Sequence, residues 1–270
     1  MDNKILIPVD FTSVARTAIS YAVKIAPQMK ASIHLLHIVK EHSHIDSAQA
    51  KLDTWVNDVP YDGLVEGSVR VGTIFEDISD FAAEEKSKLV IMGTHGKKGM
   101  QKITGSWAIK IINGSKVPYI VVQDKPAPNS IKDIVFPIDM EMESKEKLKV
   151  TAYYAKLLGS TIHMYIHNSE DKFDSAKIRA NVKTAKQFFQ SNEISYKMVT
   201  ESGNEFVDDL LHYTVANSLD MIAIVNLNYK NFTNFFGNRE EDLLFNDAQL
   251  PILIVNPDMD HMYSKVLQNF

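Results

Sequence analysis

KLVIMGTHGKKGMQKITGS, residues 88–106, runs from an apolar strand through a glycine-studded loop into the start of a helix. Leu89 to Met92 read as a buried strand ended by Gly93. Gly93, Gly96, Gly99 and Gly105 space the loop, and Ser106 opens an apolar-periodic helix. Such a turn can face main-chain N–H groups toward an anion at a helix N-terminus. The same glycines equally serve a loop that needs positive φ. Both readings stay open on the glycines alone. A Walker loop is excluded, because no glycine precedes Lys-Ser or Lys-Thr.

Working outward, strands and helices alternate. KILIPVDF (4–11) reads as a buried parallel strand ending at Asp10, followed by a helix that Thr12 or Ser13 could cap, with Ala15, Ile19, Ala22, Val23 and Ala26 on one stripe. SIHLLHIV (32–39) is a second strand, a short helix is expected within 47–57, and 64–71 is a third strand. Thr73 and Glu76 have the spacing of a capping box ahead of the stripe Ile74, Ile78, Phe81 and Ala82. After the glycine loop come a helix over 106–113 and a last strand, VPYIVVQ (117–123). This alternation predicts a parallel sheet with helices on both faces.

Residues 124–130, DKPAPNS, read as a linker, and then the pattern begins again. IVFPID (134–139) repeats ILIPVD (5–10) at an offset of 129, and Ile162-His163 repeats Ile33-His34 at the same offset. DMIAIV (220–225) answers 88–93 at 132, and LPILIV (250–255) answers VPYIVV (117–122) at 133. Helices are expected over 174–192 and 205–217. The expectation is two tandem Rossmann-like α/β domains, 1–125 and 131–270, each a five-stranded parallel sheet. Both final strands are apolar on both faces, and an apolar sheet edge invites pairing. They are therefore expected at an interface between the two domains, as an intramolecular pseudo-dimer, with further homo-oligomerisation open.

Composition narrows the function. The chain has 270 residues, no cysteine and a net charge of −5. Thiol catalysis, disulfides and thiolate metal sites are excluded. Lys and Arg are scattered, so nucleic acid is not an expected partner. No apolar run reaches the ~18 residues of a membrane span and no signal peptide is recognisable, so the expected location is cytoplasmic. His34, His37, His42 and His44 cluster without the spaced carboxylates of a metal site, and none is assigned. Glu141, Glu143 and Glu146 with Lys145 and Lys147 read as a helix start and solvated surface. No nucleophile elbow or catalytic constellation is visible.

The strand ending Pro8-Val9-Asp10, the run Met92-Gly-Thr-His-Gly96, the pair Gly105-Ser106 and the strand VPYIVV together resemble the universal stress proteins. The likeness covers nearly the whole chain, in the tandem form. It implies a Rossmann-like fold, dimerisation through the last strand, and ATP-binding and non-binding subgroups. The ATP-binding signature is Gly, two residues, Gly, nine residues, then Gly with Ser or Thr. Here Gly93, Gly96, Gly105 and Ser106 fit, except that eight residues, Lys97 to Thr104, separate the second and third glycines. By this resemblance Asp10 and Val39 would hold the adenosine end, with Pro8 and Val9 shaping its pocket. Met92 would lie among the contacts, and Gly93, Gly96, Gly105, Ser106 and the Trp107 amide would hold the phosphates. Asp10 has a plainer reading too, as the cap of the next helix.

The second half departs from that pattern: Val225, Asn228 and Asn238 stand where Gly93, Gly96 and Ser106 stand in the first, and only Gly237 keeps a glycine. Tyr229, Phe232, Phe235 and Phe236 crowd the same loop, either plugging a vacated cleft or docking a partner. The implied function is ATP binding, with Mg2+ possible, in the first domain as a ligand-dependent regulator of the stress response. A nucleotide-free interaction protein and a slow ATP hydrolase stand as the alternatives.

Overall fold

The computed structural model describes residues 3–94, 105–113, 115–138, 145–167, 172–201, 205–226 and 243–256. The chain forms two compact units, Met1–Ser130 and Ile131–Phe270. In the first, chain order is β1 (Asn3–Pro8), α1 (Ser13–Met29), β2 (Ala31–Val39), α2 (Ile45–Asn57), β3 (Val65–Val71), α3 (Asp77–Glu84), β4 (Leu89–Gly93), α4 (Gly105–Asn113) and β5 (Tyr119–Val122). The strands lie in the order β3-β2-β1-β4-β5, and every pair is parallel. Ile5, Leu6, Ile7, Ile33, Leu35, Val90 and Ile91 are fully buried, as strands covered on both faces require. The edge strand β3 is only half-buried.

Two caps differ from the sequence expectation. Thr12 is the N-cap of α1, but its side chain makes no capping bond; its hydroxyl donates to Asp10 Oδ1 instead. The Thr73–Glu76 box does not form, since α3 starts at Asp77 and the Asp77 carboxylate accepts the Thr73 N–H at 2.7 Å. Arg70 holds that carboxylate from β3, Nε to Oδ1 at 2.9 Å, so Asp77 takes the Thr73 N–H that the box would give to Glu76.

The second unit repeats this architecture. Its elements are β6 (Asp133–Ile138), α5 (Lys145–Leu158), β7 (Thr161–His167), α6 (Lys172–Ser191), β8 (Tyr196–Glu201), α7 (Phe206–Ala216), β9 (Met221–Val225) and β10 (Ile252–Val255). The order is β8-β7-β6-β9-β10, again all parallel. Ile5 opposite Ile33 becomes Ile134 opposite Ile162, so the offset of 129 read from sequence is also the offset in register. The helices expected over 174–192 and 205–217 lie within two residues of those bounds.

A buried histidine sits at the same place in each unit, in opposite company. His34 on β2 bonds Ser68 Oγ at 2.9 Å, with Lys4 and Glu66 beside it. Lys4 also pairs with Glu85. His163 on β7 bonds Asp133, which stands where Lys4 stands, at 2.6 Å, and Tyr213 Oη at 3.2 Å. The reversal extends along the edge strands. Ile33 faces Val65 and Ile162 faces Tyr196, so Glu66 corresponds to Lys197 and Arg70 to Glu201. Three charged positions change sign together.

Candidate functional site

In an open parallel sheet, ligands bind outside the carboxyl ends of the strands where the strand order reverses. In the first unit that point lies between β1 and β4, the two strands that flank the start of α1. Pro8 ends β1 and Val9 follows it, buried, with its N–H bonded to the Leu36 carbonyl at 2.8 Å. Asp10 is exposed at the lip, and its Oδ1 accepts the Thr12 N–H at 3.1 Å and the Thr12 hydroxyl at 2.6 Å. Its second oxygen carries no bond to the described residues, so it can accept from a ligand hydroxyl.

The turn that places Asp10 depends on a residue the sequence reading passed over. Phe11 has φ of 64°, in the left-handed region that costs a bulky residue of order 1–3 kcal/mol. Packing holds it there. Its ring lies 4.4 Å from the His37 ring and 5.5 Å, edge-on, from Trp55, with Lys51 Nζ 4.2 Å from its centroid. His37 is itself fixed through Nδ1 to the Val9 carbonyl at 2.7 Å. The triplet Asp-Phe-Thr, with an Asp two residues ahead of a free N–H, was the available signal for this turn.

Val39 ends β2, buried, and its carbonyl accepts the Gly72 N–H at 2.9 Å. Met92 is buried within β4, one residue before its end. Gly93 ends β4, and a Cβ placed on it would lie 2.6 Å from the Val14 carbonyl oxygen and 2.7 Å from Val14 Cγ1. The missing side chain therefore lets the first turn of α1 pass over the end of β4. Gly105, Ser106 and Trp107 form the first turn of α4, whose opening N–H groups have no intrahelical acceptor. Gly96 lies outside the described residues. The structure thus brings Pro8, Val9, Asp10, Met92 and Gly93 together at one switch point, with Val39 at the end of the neighbouring strand.

The corresponding point of the second unit is built differently. Pro137 matches Pro8, and its carbonyl accepts from Lys147 Nζ at 2.6 Å, with the ammonium 4.3 Å from the Phe136 ring centroid. Lys147 is 3 % exposed, which corrects its reading as solvated surface. It stands on α5 where α1 has the buried Ala18, and a helical side chain leans toward the helix N-terminus, here toward the strand ends. Its long apolar stem is buried while the charge is met by a carbonyl and a ring face. Val225 takes the place of Gly93. Asn226 and Asn256, both buried, bond side chain to side chain at 2.8 Å at the ends of β9 and β10. The aromatic loop residues Tyr229, Phe232, Phe235 and Phe236, and Asn228, Gly237 and Asn238, lie outside the described residues. Among the described residues no three His, Asp or Glu side chains are grouped to hold a metal.

Comparison with known proteins adds four findings. The family model of the universal stress protein family matches residues 1–123. A universal stress protein of Methanocaldococcus jannaschii is 25% identical over 139 residues, 45% of this chain and 82% of that protein. A crystal structure of a universal stress protein from Archaeoglobus fulgidus superposes with a TM-score of 0.68 at 13% identity, covering 94% of this chain and 96% of that one. A functionally unknown protein from Pseudomonas aeruginosa does so with a TM-score of 0.62 at 18% identity, over 100% and 98%. At those identities the two structures speak for the fold.

Proposed function

We propose that the first unit, whose residues 1–123 match the family model of the universal stress protein family, binds an adenine nucleotide at the crevice between β1 and β4. The observation that carries the reading is Asp10, an exposed carboxylate at the switch point with one oxygen fixed by Thr12 and the other free to accept from a ribose hydroxyl. The first-turn amides of α4, behind Gly105, suit a phosphate. Gly93 supports the reading less directly than its place in the signature suggests, because the space it leaves is taken by Val14. ATP is the nucleotide we propose. Mg2+ would accompany it on the phosphates, within reach of no ligand cluster among the described residues.

The second unit, with Lys147 and Val225 at the same point, is the non-binding copy in this reading. Function follows from ligation: a nucleotide that binds only the ordered crevice stabilises that state and whatever partner affinity goes with it. We also infer, on the sequence of the two last strands, that the units pair through them; nicking the 124–130 linker and finding both halves in one peak on a sizing column checks this. A cytoplasmic location belongs to the same proposal. Among the described residues no helix is long and apolar enough to cross a membrane.

The test is direct. Protein purified without added nucleotide is denatured and the supernatant analysed for adenine nucleotide, and ATP titrations of wild type and Gly105→Trp are compared by calorimetry. Binding by wild type that Gly105→Trp abolishes supports the proposal. Negligible heat from both, with no nucleotide released, leaves a nucleotide-free interaction protein. Sustained phosphate release lost in Asp10→Ala would make the protein a slow hydrolase.

A further inference from the structure

Each unit ends its sheet on one side with an edge strand, β3 or β8, and the two edges are treated differently. One face of β3 is covered within its own unit. Leu52 and Val56 of α2 lie on Gly67, where a Cβ would be 2.8 Å from Val56 Cγ2. Its charges are committed: Glu66 to Lys4 at 3.8 Å, Arg70 to Asp77 at 2.9 Å and to Glu84 at 2.7 Å. In β8 the place of Gly67 is taken by Met198, which is 50 % exposed. Lys197, Thr200 and Glu201 are exposed as well, and among the described residues neither Lys197 nor Glu201 makes an ion pair.

Main-chain geometry says which groups β8 offers. The Ile162 N–H bonds the Ser195 carbonyl at 2.8 Å, so Ser195, Lys197, Val199 and Glu201 turn their main-chain groups toward β7. Tyr196, Met198 and Thr200 therefore turn theirs outward from the sheet. An exposed strand with open donors and acceptors is a template for another strand. The side-chain pattern selects which one. Lys197-x-Val199-x-Glu201 carries opposite charges at equal distances from a central apolar residue, so it complements its own antiparallel copy.

We propose that β8 is a self-association edge, at which two copies of the chain pair antiparallel across a two-fold axis through Val199. In that register Met198 of one copy and Thr200 of the other exchange main-chain hydrogen bonds, using the groups that point outward. Lys197 meets Glu201 of the second copy twice, at non-hydrogen-bonded pairs where side chains come closest. Shifting the register by one residue on either strand loses both the main-chain and the charge match. β3 cannot act in the same way, because Glu66 and Arg70 are already paired within the first unit.

Sedimentation equilibrium of the full chain, from about 1 to 100 μM at low and high salt, tests the proposal. The expected result is a monomer–dimer equilibrium that weakens with salt. Lys197→Glu and Glu201→Lys should each weaken it roughly tenfold or more, and the double reversal should restore it. The chain has no cysteine, so Val199→Cys supplies a single thiol that is expected to cross-link the dimer on oxidation. A monomer throughout that range overturns the proposal, as does a dimer indifferent to both single reversals. Single reversals that weaken association without rescue by the double variant, or a Val199→Cys dimer that fails to cross-link, would also overturn the two-fold register.

Discussion

Gly93 at the end of β4 lies against the carbonyl of Val14 in the first turn of α1, so closely that a Cβ would sit 2.6 Å from that oxygen. The neighbour is main chain, which cannot swing aside as a side-chain tip could. A family-signature glycine is thus explained by packing before any ligand is considered.

Gly93→Ala is accordingly expected to destabilise the protein by about 1–3 kcal/mol through overpacking. Denaturant unfolding of the nucleotide-free protein reads it. An unchanged midpoint would mean that the helix start gives way and that the glycine serves the ligand alone.

Asp10→Ala separates binding from folding. Loss of its two contacts to Thr12 should cost about 1 kcal/mol of stability. Loss of the outward oxygen should weaken nucleotide binding about tenfold or more, since charge-assisted bonds are the stronger ones. Asp10→Asn, which keeps an acceptor toward Thr12, should recover most of the stability and little of the affinity. Calorimetric titration alongside thermal melts distinguishes the two.

Burial, and then the neighbouring Lys4, push the His34 imidazole below its ordinary 6.5, against the pull of Glu66 and Glu85. The folded state thus favours the neutral ring, and the unfolded chain binds the proton more readily. Stability from this site is full above about pH 6.5 and is lost as pH falls below it. His34→Gln, which keeps a partner for Ser68, should flatten the stability profile between pH 7.5 and 5 relative to wild type. Chemical denaturation at several pH values measures the slope, and parallel profiles would refute the assignment.

Lys147→Ala should cost about 2–4 kcal/mol, because it leaves the Pro137 carbonyl short of a donor, removes the charge from the Phe136 ring and opens a cavity beneath the strand ends. Lys147→Met retains the stem and should lose clearly less. Neither change is expected to confer ATP binding on the second unit, where Val225 remains.

The elements and their repetition were legible because strands buried on both faces write continuous apolar runs, and helices write their stripe. Offsets fixed the register before any contact was known. Charge partners were not legible, because they join residues far apart in the chain: Arg70 reaches Asp77 and Glu84 only once β3 lies beside α3. For the same reason the Thr73–Glu76 spacing misled, since Asp77 was the better-placed acceptor. Lys147 sits in a run of charged residues that looks solvated, and only its position over Pro137 makes it internal. At the candidate site, the place of Asp10 just past the end of β1 was readable from its motif, whereas the left-handed Phe11 beside it depends on His37 and Trp55, supplied by other elements.

The sign change from Lys4, Glu66 and Arg70 to Asp133, Lys197 and Glu201 also bears on how a duplicated chain folds. Two near-copies tethered together risk trading strands, and repeats are prone to such misassembly. Were β8 to dock beside β2, Lys197 would arrive next to Lys4; were β3 to dock beside β7, Glu66 would arrive next to Asp133. Like charges oppose both errors. Divergence in polarity is thus expected to help keep the halves from being mistaken for one another.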